Sequence, residues 1–155
     1  MTHIISGMPS SEAEAYRNGA PDAYGNAPEQ GVSSGSGVPC RHCMKTVPKG
    51  AALLVFAYRP FEGLHPYAET GPVFLCKDAC NAPAKDSFPE VLEVSPTYLI
   101  KGYTSDQRIK YGTGAIVSQS EAQERISKLL DFSDLSFIDV RSAKNNCWLA
   151  RVTRA

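Results

Sequence analysis

Two short cysteine pairs constrain the fold of this chain more than any other feature. Cys40 and Cys43 stand in a C-x2-C pair, and Cys76 and Cys80 stand in a C-x3-C pair. Zinc prefers four tetrahedral ligands, and two turns that carry two thiolates each can supply them. The fold must then bring together two segments that lie far apart in the sequence. The spacing predicts one structural Zn²⁺ ion with no coordination position left open for chemistry.

Two other interpretations of these cysteines stay open. The four thiols could be reduced groups near the surface, or redox pairs that exchange with disulfides. The odd total of five cysteines argues against a regular disulfide framework. Cys147 has no cysteine near it in the sequence and lies beside Trp148, so we expect it to be a small buried hydrophobic residue.

Length and charge limit the classes of protein to which the chain can belong. Its 155 residues fit one domain. The 16 basic and 16 acidic side chains cancel and are scattered, which argues against nucleic acid as a partner. No apolar run approaches the ~20 residues that a membrane span needs, and the N-terminal residues lack the pattern of a secretory signal. We therefore expect a cytoplasmic protein with no membrane contact, whose partner is a small molecule or another protein.

Composition divides the chain at about residue 38. Residues 18–37 are rich in Gly, Pro, Ala, Ser and Asn and bury too little apolar surface to offset the entropy of ordering them. We predict an irregular or flexible N-terminal arm over residues 1–37, with a short helix around residues 11–18, and a single domain over residues 38–155.

Hydrophobic patterning predicts an α+β domain built on a mostly antiparallel sheet. A continuous apolar run over residues 51–58 indicates a buried strand, and a shorter one follows at residues 73–76. Residues 121–130 carry the helical spacing of apolar side chains, with Ser120 and Gln123 as the expected capping box. The order of the strands is not readable. Further strands are predicted at residues 97–103, 108–117, 135–141 and 147–152.

The two N-terminal strands of this domain give the cysteines a common location. If residues 51–58 and 73–76 pair as an antiparallel hairpin, its open end carries Cys76 and Cys80. A turn at residues 48–50 can then fold Cys40 and Cys43 back toward them. The zinc ion is expected to close this end, opposite the long loop of residues 59–71.

That loop contains most of the other side chains that could bind a ligand or take part in a reaction. Arg59 can hold a carboxylate or phosphate, and His65 can act as an acid or base near neutral pH. Tyr67 and Glu69 can position a ligand, and Arg141 lies among polar residues at a strand end. The alternative is that Arg59 pairs with Glu69 and the aromatic side chains cover the sheet.

The sequence alone reveals no activity. The first hypothesis is a zinc-stabilised binding domain. A small enzyme that acts on an anionic substrate through residues 59–71 is the alternative, and a thiol-redox protein is the second alternative.

Five motifs of the chain carry a family resemblance: residues 39–43, 58–61, 66–74 and 111–114, and residues 140–143 leading to Cys147. Together they resemble a bacterial family catalogued as "domain of unknown function 1203". The resemblance covers about residues 38–155 and implies a small bacterial stand-alone protein of the cytoplasm. It brings no activity, substrate or catalytic residue.

Overall fold

The computed structural model describes residues 3–155, and they form two antiparallel sheets and two helices. The α+β class predicted from the sequence is confirmed, with the strands divided between two sheets. In chain order the elements are β1 (His3–Ser6), α1 (Ser10–Arg17), β2 (Glu29–Val32), β3 (Ala52–Tyr58), β4 (Gly71–Cys76), β5 (Thr97–Tyr103), β6 (Ala115–Ser118), α2 (Gln119–Leu130), β7 (Phe137–Ser142) and β8 (Trp148–Arg154).

The larger sheet has five strands in the order β1-β8-β7-β5-β6. Helix α2 packs on one face of it, because Ala122, Ile126, Leu129 and Leu130 fall on one side of the helix and are buried. Its first turn is capped by Ser118 and Glu121, two residues before the pair expected from the sequence. The Glu121 carboxylate accepts the Ser118 hydroxyl at 2.7 Å, and this bond places the start of the helix directly at the end of β6.

The smaller sheet has three strands in the order β2-β3-β4 and its own apolar cluster. Tyr16 of α1 packs on Phe56 of β3, with ring centroids 4.2 Å apart. Trp148 at the start of β8 packs on Tyr58, with centroids 5.5 Å apart, so one aromatic contact joins the two sheets. The hairpin of β3 and β4 has the antiparallel pairing expected from the sequence, and Leu53 lies opposite Cys76 at its open end.

The N-terminal segment differs from the expected irregular arm. Strand β1 pairs antiparallel with β8, and β2 pairs antiparallel with β3. The expected short helix is present as α1. Composition was a poor guide because the segment gains backbone hydrogen bonds from strands that are formed elsewhere in the chain. It also buries Ile5, Met8 and Ala13. Residues 1 and 2 lie outside the described residues.

The strand predicted over residues 108–117 is wrong for most of its length. Only its last part belongs to β6, and a turn containing Gly112 at φ +93° precedes it. The Thr113 hydroxyl accepts the Gly102 amide at 2.9 Å and donates to the Lys110 carbonyl at 2.6 Å. The Thr113 side chain therefore supplements a short stretch of backbone pairing, in which the Lys110 amide donates to the Gly102 carbonyl at 2.8 Å. Among the described residues, no helix is long and apolar enough to cross a membrane.

Gly7 provides a test of the N-terminal docking. A Cβ atom at this position would lie 2.1 Å from the backbone oxygen of Arg41, which cannot move without breaking its neighbours' contacts. We expect Gly7→Ala to lower the free energy of unfolding by about 1–3 kcal/mol in urea titrations. Gly71→Ala is the matched control, because its Cβ would meet nothing within 4 Å. Equal free energies of unfolding for the two variants would contradict the close packing of the N-terminal segment against Arg41.

Candidate metal centre

The first cysteine pair lies in a tight hairpin. Pro39 and Thr46 form an isolated antiparallel bridge, and the Cys40 amide donates to the Lys45 carbonyl at 2.8 Å. Met44 closes the turn in the left-handed region, at φ +59°, and its amide donates to the Cys40 carbonyl at 3.0 Å. Glycine usually occupies such a position, and neither cysteine pair contains one. Here a methionine adopts the conformation that the turn requires.

Packing of Met44 explains why the turn tolerates a side chain. Met44 is completely buried in the cluster beneath helix α2, and its carbonyl accepts the Val91 amide at 3.0 Å. Burial of a methionine side chain contributes about 1.5–3 kcal/mol, which is enough to offset the cost of about 1–2 kcal/mol for a left-handed residue. The turn that carries two cysteines is thereby fixed to the core of the larger sheet.

The second cysteine pair is held beside the first by backbone contacts. Cys40 forms a parallel bridge with Phe74 of β4, and the Arg41 amide donates to the Phe74 carbonyl at 3.0 Å. The Cys76 amide donates to Cys40 Sγ at 3.3 Å. The first hairpin thus lies along the free edge of β4, which brings Cys76 and Cys80 toward it.

All four cysteine sulfurs converge on one point. The Sγ atoms of Cys40, Cys43, Cys76 and Cys80 lie within 4.8 Å of one another, and those of Cys40 and Cys80 are 3.9 Å apart. A tetrahedron with metal–sulfur bonds of ~2.3 Å has sulfurs about 3.8 Å apart. All five cysteines of the chain are free thiols. The four clustered residues can therefore hold a metal ion.

Two side chains other than the cysteines contact Cys80, and one of them, Arg17, lies far from the cluster in the sequence. The Arg17 guanidinium donates to Cys80 Sγ at 2.9 Å and to the Cys76 carbonyl at 2.9 Å. His42 Nδ1 lies 3.1 Å from Cys80 Sγ, and its Nε2 lies 2.8 Å from the Ser10 hydroxyl. His42, which stands between Cys40 and Cys43 in the sequence, is therefore also a neighbour of the cluster in space. Arg17 reaches the cluster through the docking of α1, which no local spacing could reveal.

Electrostatics within the cluster favour one thiolate over several. Hydrogen bonds from the Cys43 and Cys76 thiols hold the pKa of Cys40 far below its usual range. The hydrogen bond to Cys40 raises the pKa of Cys43 to about 12, and that of Cys76 rises further for the same reason. A second negative charge so close to the first is costly in a buried site. A divalent cation bound between the sulfurs would remove that cost.

Arg41 lies behind the cluster and is almost completely buried. Its guanidinium donates to the Trp148 carbonyl at 2.7 Å and to the Pro39 carbonyl at 2.6 Å. Burial lowers the pKa of Arg41 to about 10, and negative charge on Cys147 and Cys40 opposes that shift. Within the described residues no carboxylate pairs with Arg41. Its positive charge is therefore left to be balanced by the sulfurs.

The loop of residues 59–70 is irregular, and its Glu69 is bound to the larger sheet. The Glu69 carboxylate lies 2.7 Å from Lys101 Nζ and 2.9 Å from Arg141 Nη1. The contact with Arg141 is an ion pair that is not aligned as a hydrogen bond, since Glu69 Oε2 has no hydrogen-bond partner in the described part of the chain. The expected pairing of Glu69 with Arg59 is thus replaced by two cations of the sheet. Phe61 covers Tyr103 and Phe137, as the alternative interpretation of the loop anticipated.

The other proposed ligand-binding residues are divided among different surroundings. Tyr67 shares a 2.8 Å hydrogen bond with the hydroxyl of Tyr111, and His65 Nδ1 accepts the Tyr67 amide at 3.2 Å. Arg59 lines a cavity of about 590 Å³ between the N-terminal segment and the loop. Glu69 and Arg141 line a second cavity of about 280 Å³. The fold therefore brings Glu69 and Arg141 together, and neither Arg59 nor His65 is in the lining of the cavity that they share, while their roles in binding stay predictions.

Comparison with known proteins gives a family and no activity. No curated protein and no solved structure matches the chain. Residues 37–154 match the model of the family described as "Protein of unknown function (DUF1203)". The match covers most of the chain and includes all four clustered cysteines. The chain belongs to the DUF1203 family.

Proposed function

We propose that this chain is a binding domain in which Cys40, Cys43, Cys76 and Cys80 hold one structural Zn²⁺ ion. The observation that carries the proposal is the convergence of four thiol sulfurs within 4.8 Å. Thiolates are soft ligands, and a tetrahedral set of four suits zinc far better than it suits magnesium or calcium. Four protein ligands fill the coordination shell, so the metal has no open position at which to activate water.

The charges around the cluster support a divalent ion with four thiolates. Zn²⁺ with four thiolates carries a net charge of −2. Arg17 contacts Cys80 directly, and Arg41 lies buried beside the cluster without a carboxylate in the described chain. Two guanidinium groups would balance that charge, and hydrogen bonds to metal-bound sulfur commonly stabilise such sites.

The compartment follows from the same chemistry. Cysteines that stay unpaired by disulfides are typical of a compartment that keeps thiols reduced, so we propose a cytoplasmic location. Neither the small-enzyme hypothesis nor the thiol-redox hypothesis gains support from the described residues. Arg59 lines the larger cavity without His65, and the loop that would carry the enzyme's groups is bound to the sheet through Glu69.

Metal content and thiol reactivity test the zinc site. We expect about one zinc per chain in untagged protein, measured by atomic emission spectrometry. A thiol reagent should then modify only Cys147 in the native protein, and all five cysteines after addition of a chelator. Cys147→Ser should keep the zinc, whereas Cys43→Ser should lose most of it. Metal-free protein with five equally reactive thiols would contradict the proposal.

The contact between Arg17 and Cys80 has a separate test. We expect Arg17→Gln to weaken zinc binding by about tenfold in competition with a chromophoric chelator, because neighbouring groups that bond to metal ligands contribute about 10–100-fold to affinity. Lys45→Gln is the control, since Lys45 follows Cys43 closely in the sequence but is exposed. An equal effect of both substitutions would mean that only the overall charge matters.

A further inference from the structure

Helix α1 is bound at both of its ends to the surroundings of one cysteine, Cys80. Arg17, the last residue of the helix, donates to Cys80 Sγ and to the Cys76 carbonyl, each at 2.9 Å. The hydroxyl of Ser10, the first residue, lies 2.8 Å from Nε2 of His42, and Nδ1 of the same ring lies 3.1 Å from Cys80 Sγ. The docked position of α1 therefore depends on Cys80 at both ends.

Cys80 has few other attachments to the domain. It follows β4, and within the described chain residues 78–83 make no hydrogen bond between backbone groups. Its sulfur lies 3.9 Å from the sulfur of Cys40, which is completely buried in the first hairpin. A metal ion bound between these two sulfurs would fix Cys80 relative to the core. Loss of the ion would release this segment and weaken the contacts of α1 that depend on it.

A bound metal ion also strengthens both contacts. Cysteine binds a metal as the thiolate, and binding releases the proton of the thiol. A hydrogen bond to a charged acceptor is roughly twice as strong as one between neutral groups, whereas the sulfur of a thiol is a weak acceptor. A neutral His42 then donates to the thiolate through Nδ1, which leaves Nε2 to accept the Ser10 hydroxyl. The metal therefore selects one set of hydrogen bonds that holds α1 at both ends.

Strand β1 and helix α1, which we call the β1–α1 unit (residues 3–17), form one wall of the larger cavity. Eight of the residues that line this cavity of about 590 Å³ lie between Ile4 and Glu12. Arg59 and Phe61 of the loop belong to another part of its lining. If the β1–α1 unit leaves its place, the cavity loses this wall and opens to solvent.

Other contacts of the β1–α1 unit do not involve the cysteines. Strand β1 pairs with β8, the Met8 amide donates to the Arg41 carbonyl at 2.7 Å, and the Tyr16 ring packs on Phe56. These contacts limit the effect of the metal to a shift in the populations of the docked and undocked unit. The rest of the domain does not have to unfold for the unit to undock, because the core beneath α2 has its own apolar cluster.

We propose that a metal ion in the cysteine cluster controls the docking of the β1–α1 unit, and thereby the formation of the larger cavity. The inference rests on the proposed zinc site and adds regulation of a ligand-sized cavity to it. Linkage makes the effect reciprocal, so that a substitution that weakens docking also weakens metal binding.

Hydrogen exchange followed by mass spectrometry tests the docking. Zinc-loaded full-length protein is compared with the same protein after removal of zinc by a chelator. We expect the amides of residues 3–17 to exchange about tenfold faster without zinc, because both end contacts of α1 weaken. The amides of α2 should exchange at nearly the same rate in both samples. With saturating zinc, Arg17→Gln should speed the exchange of residues 10–17, and Lys45→Gln should not.

Tyr16→Ala tests the reverse direction of the coupling. Tyr16 holds α1 on β3 through its contacts with Phe56 and Tyr58, so its loss weakens docking without removing a hydrogen bond to the cluster. We expect zinc affinity to fall about two- to fivefold in competition with a chromophoric chelator. Tyr24→Ala is the matched control, because Tyr24 is 68% exposed and lies after the β1–α1 unit. It should bind zinc as the wild type does.

The outcomes separate this inference from the zinc site. Suppose that the protein binds zinc, and that removal of the zinc leaves exchange of residues 3–17 unchanged or speeds exchange of α2 just as much. The metal then does not control the β1–α1 unit, and the zinc site still stands. Equal zinc affinities of Tyr16→Ala and Tyr24→Ala would likewise refute the coupling. Protein that binds no zinc would refute the proposed function and this inference with it.

Discussion

Hydrogen bonds of Arg41 connect three parts of the molecule, namely the three-stranded sheet, the N-terminal segment and the five-stranded sheet. Its amide donates to Phe74 in the three-stranded sheet, and its carbonyl accepts the Met8 amide from the N-terminal segment at 2.7 Å. Its guanidinium donates to the Trp148 carbonyl in the five-stranded sheet. Because Arg41 lies between two of the clustered cysteines, the position of the sulfurs depends on all three attachments. A buried arginine bonded mainly to carbonyls is costly, and the negative sulfurs beside it offset part of that cost.

The features that could be predicted from the sequence are those with a local signal. The apolar run of β3 and the helical spacing of α2 can each be recognised within a short stretch of sequence. The two cysteine pairs can be connected because a structural zinc ion needs four ligands. The hairpin of β3 and β4 follows from them. Met44 shows the limit of such reasoning, because a left-handed position favours glycine, and only the fold reveals that burial of a methionine stabilises the turn.

The features that could not be predicted depend on partners far away in the chain. Strand β1 is stable because β8 is there to pair with it, and its four residues carry little signal of their own. The same holds for Arg17, whose contact with Cys80 exists only after α1 docks. Glu69 is a candidate from the sequence, but its ion pairs with Lys101 and Arg141, and not with Arg59, could be predicted only with the order of the strands in the sheet. In each case the sequence contains the residue, but the fold supplies the neighbour.

The pairing of β1 with β8 has a consequence for the order of folding. Strands β2, β3 and β4 and all four clustered cysteines precede residue 81, whereas the partner of β1 is the last strand in the chain. During synthesis all four clustered cysteines are therefore available while the five-stranded sheet still lacks most of its strands, and the attachments of Arg41 and Met44 to that sheet form later. A metal ion bound at that stage would hold the three-stranded sheet in shape until the rest of the chain arrives. The metal-bound cysteines would then stabilise the N-terminal half during synthesis before they become part of the complete domain.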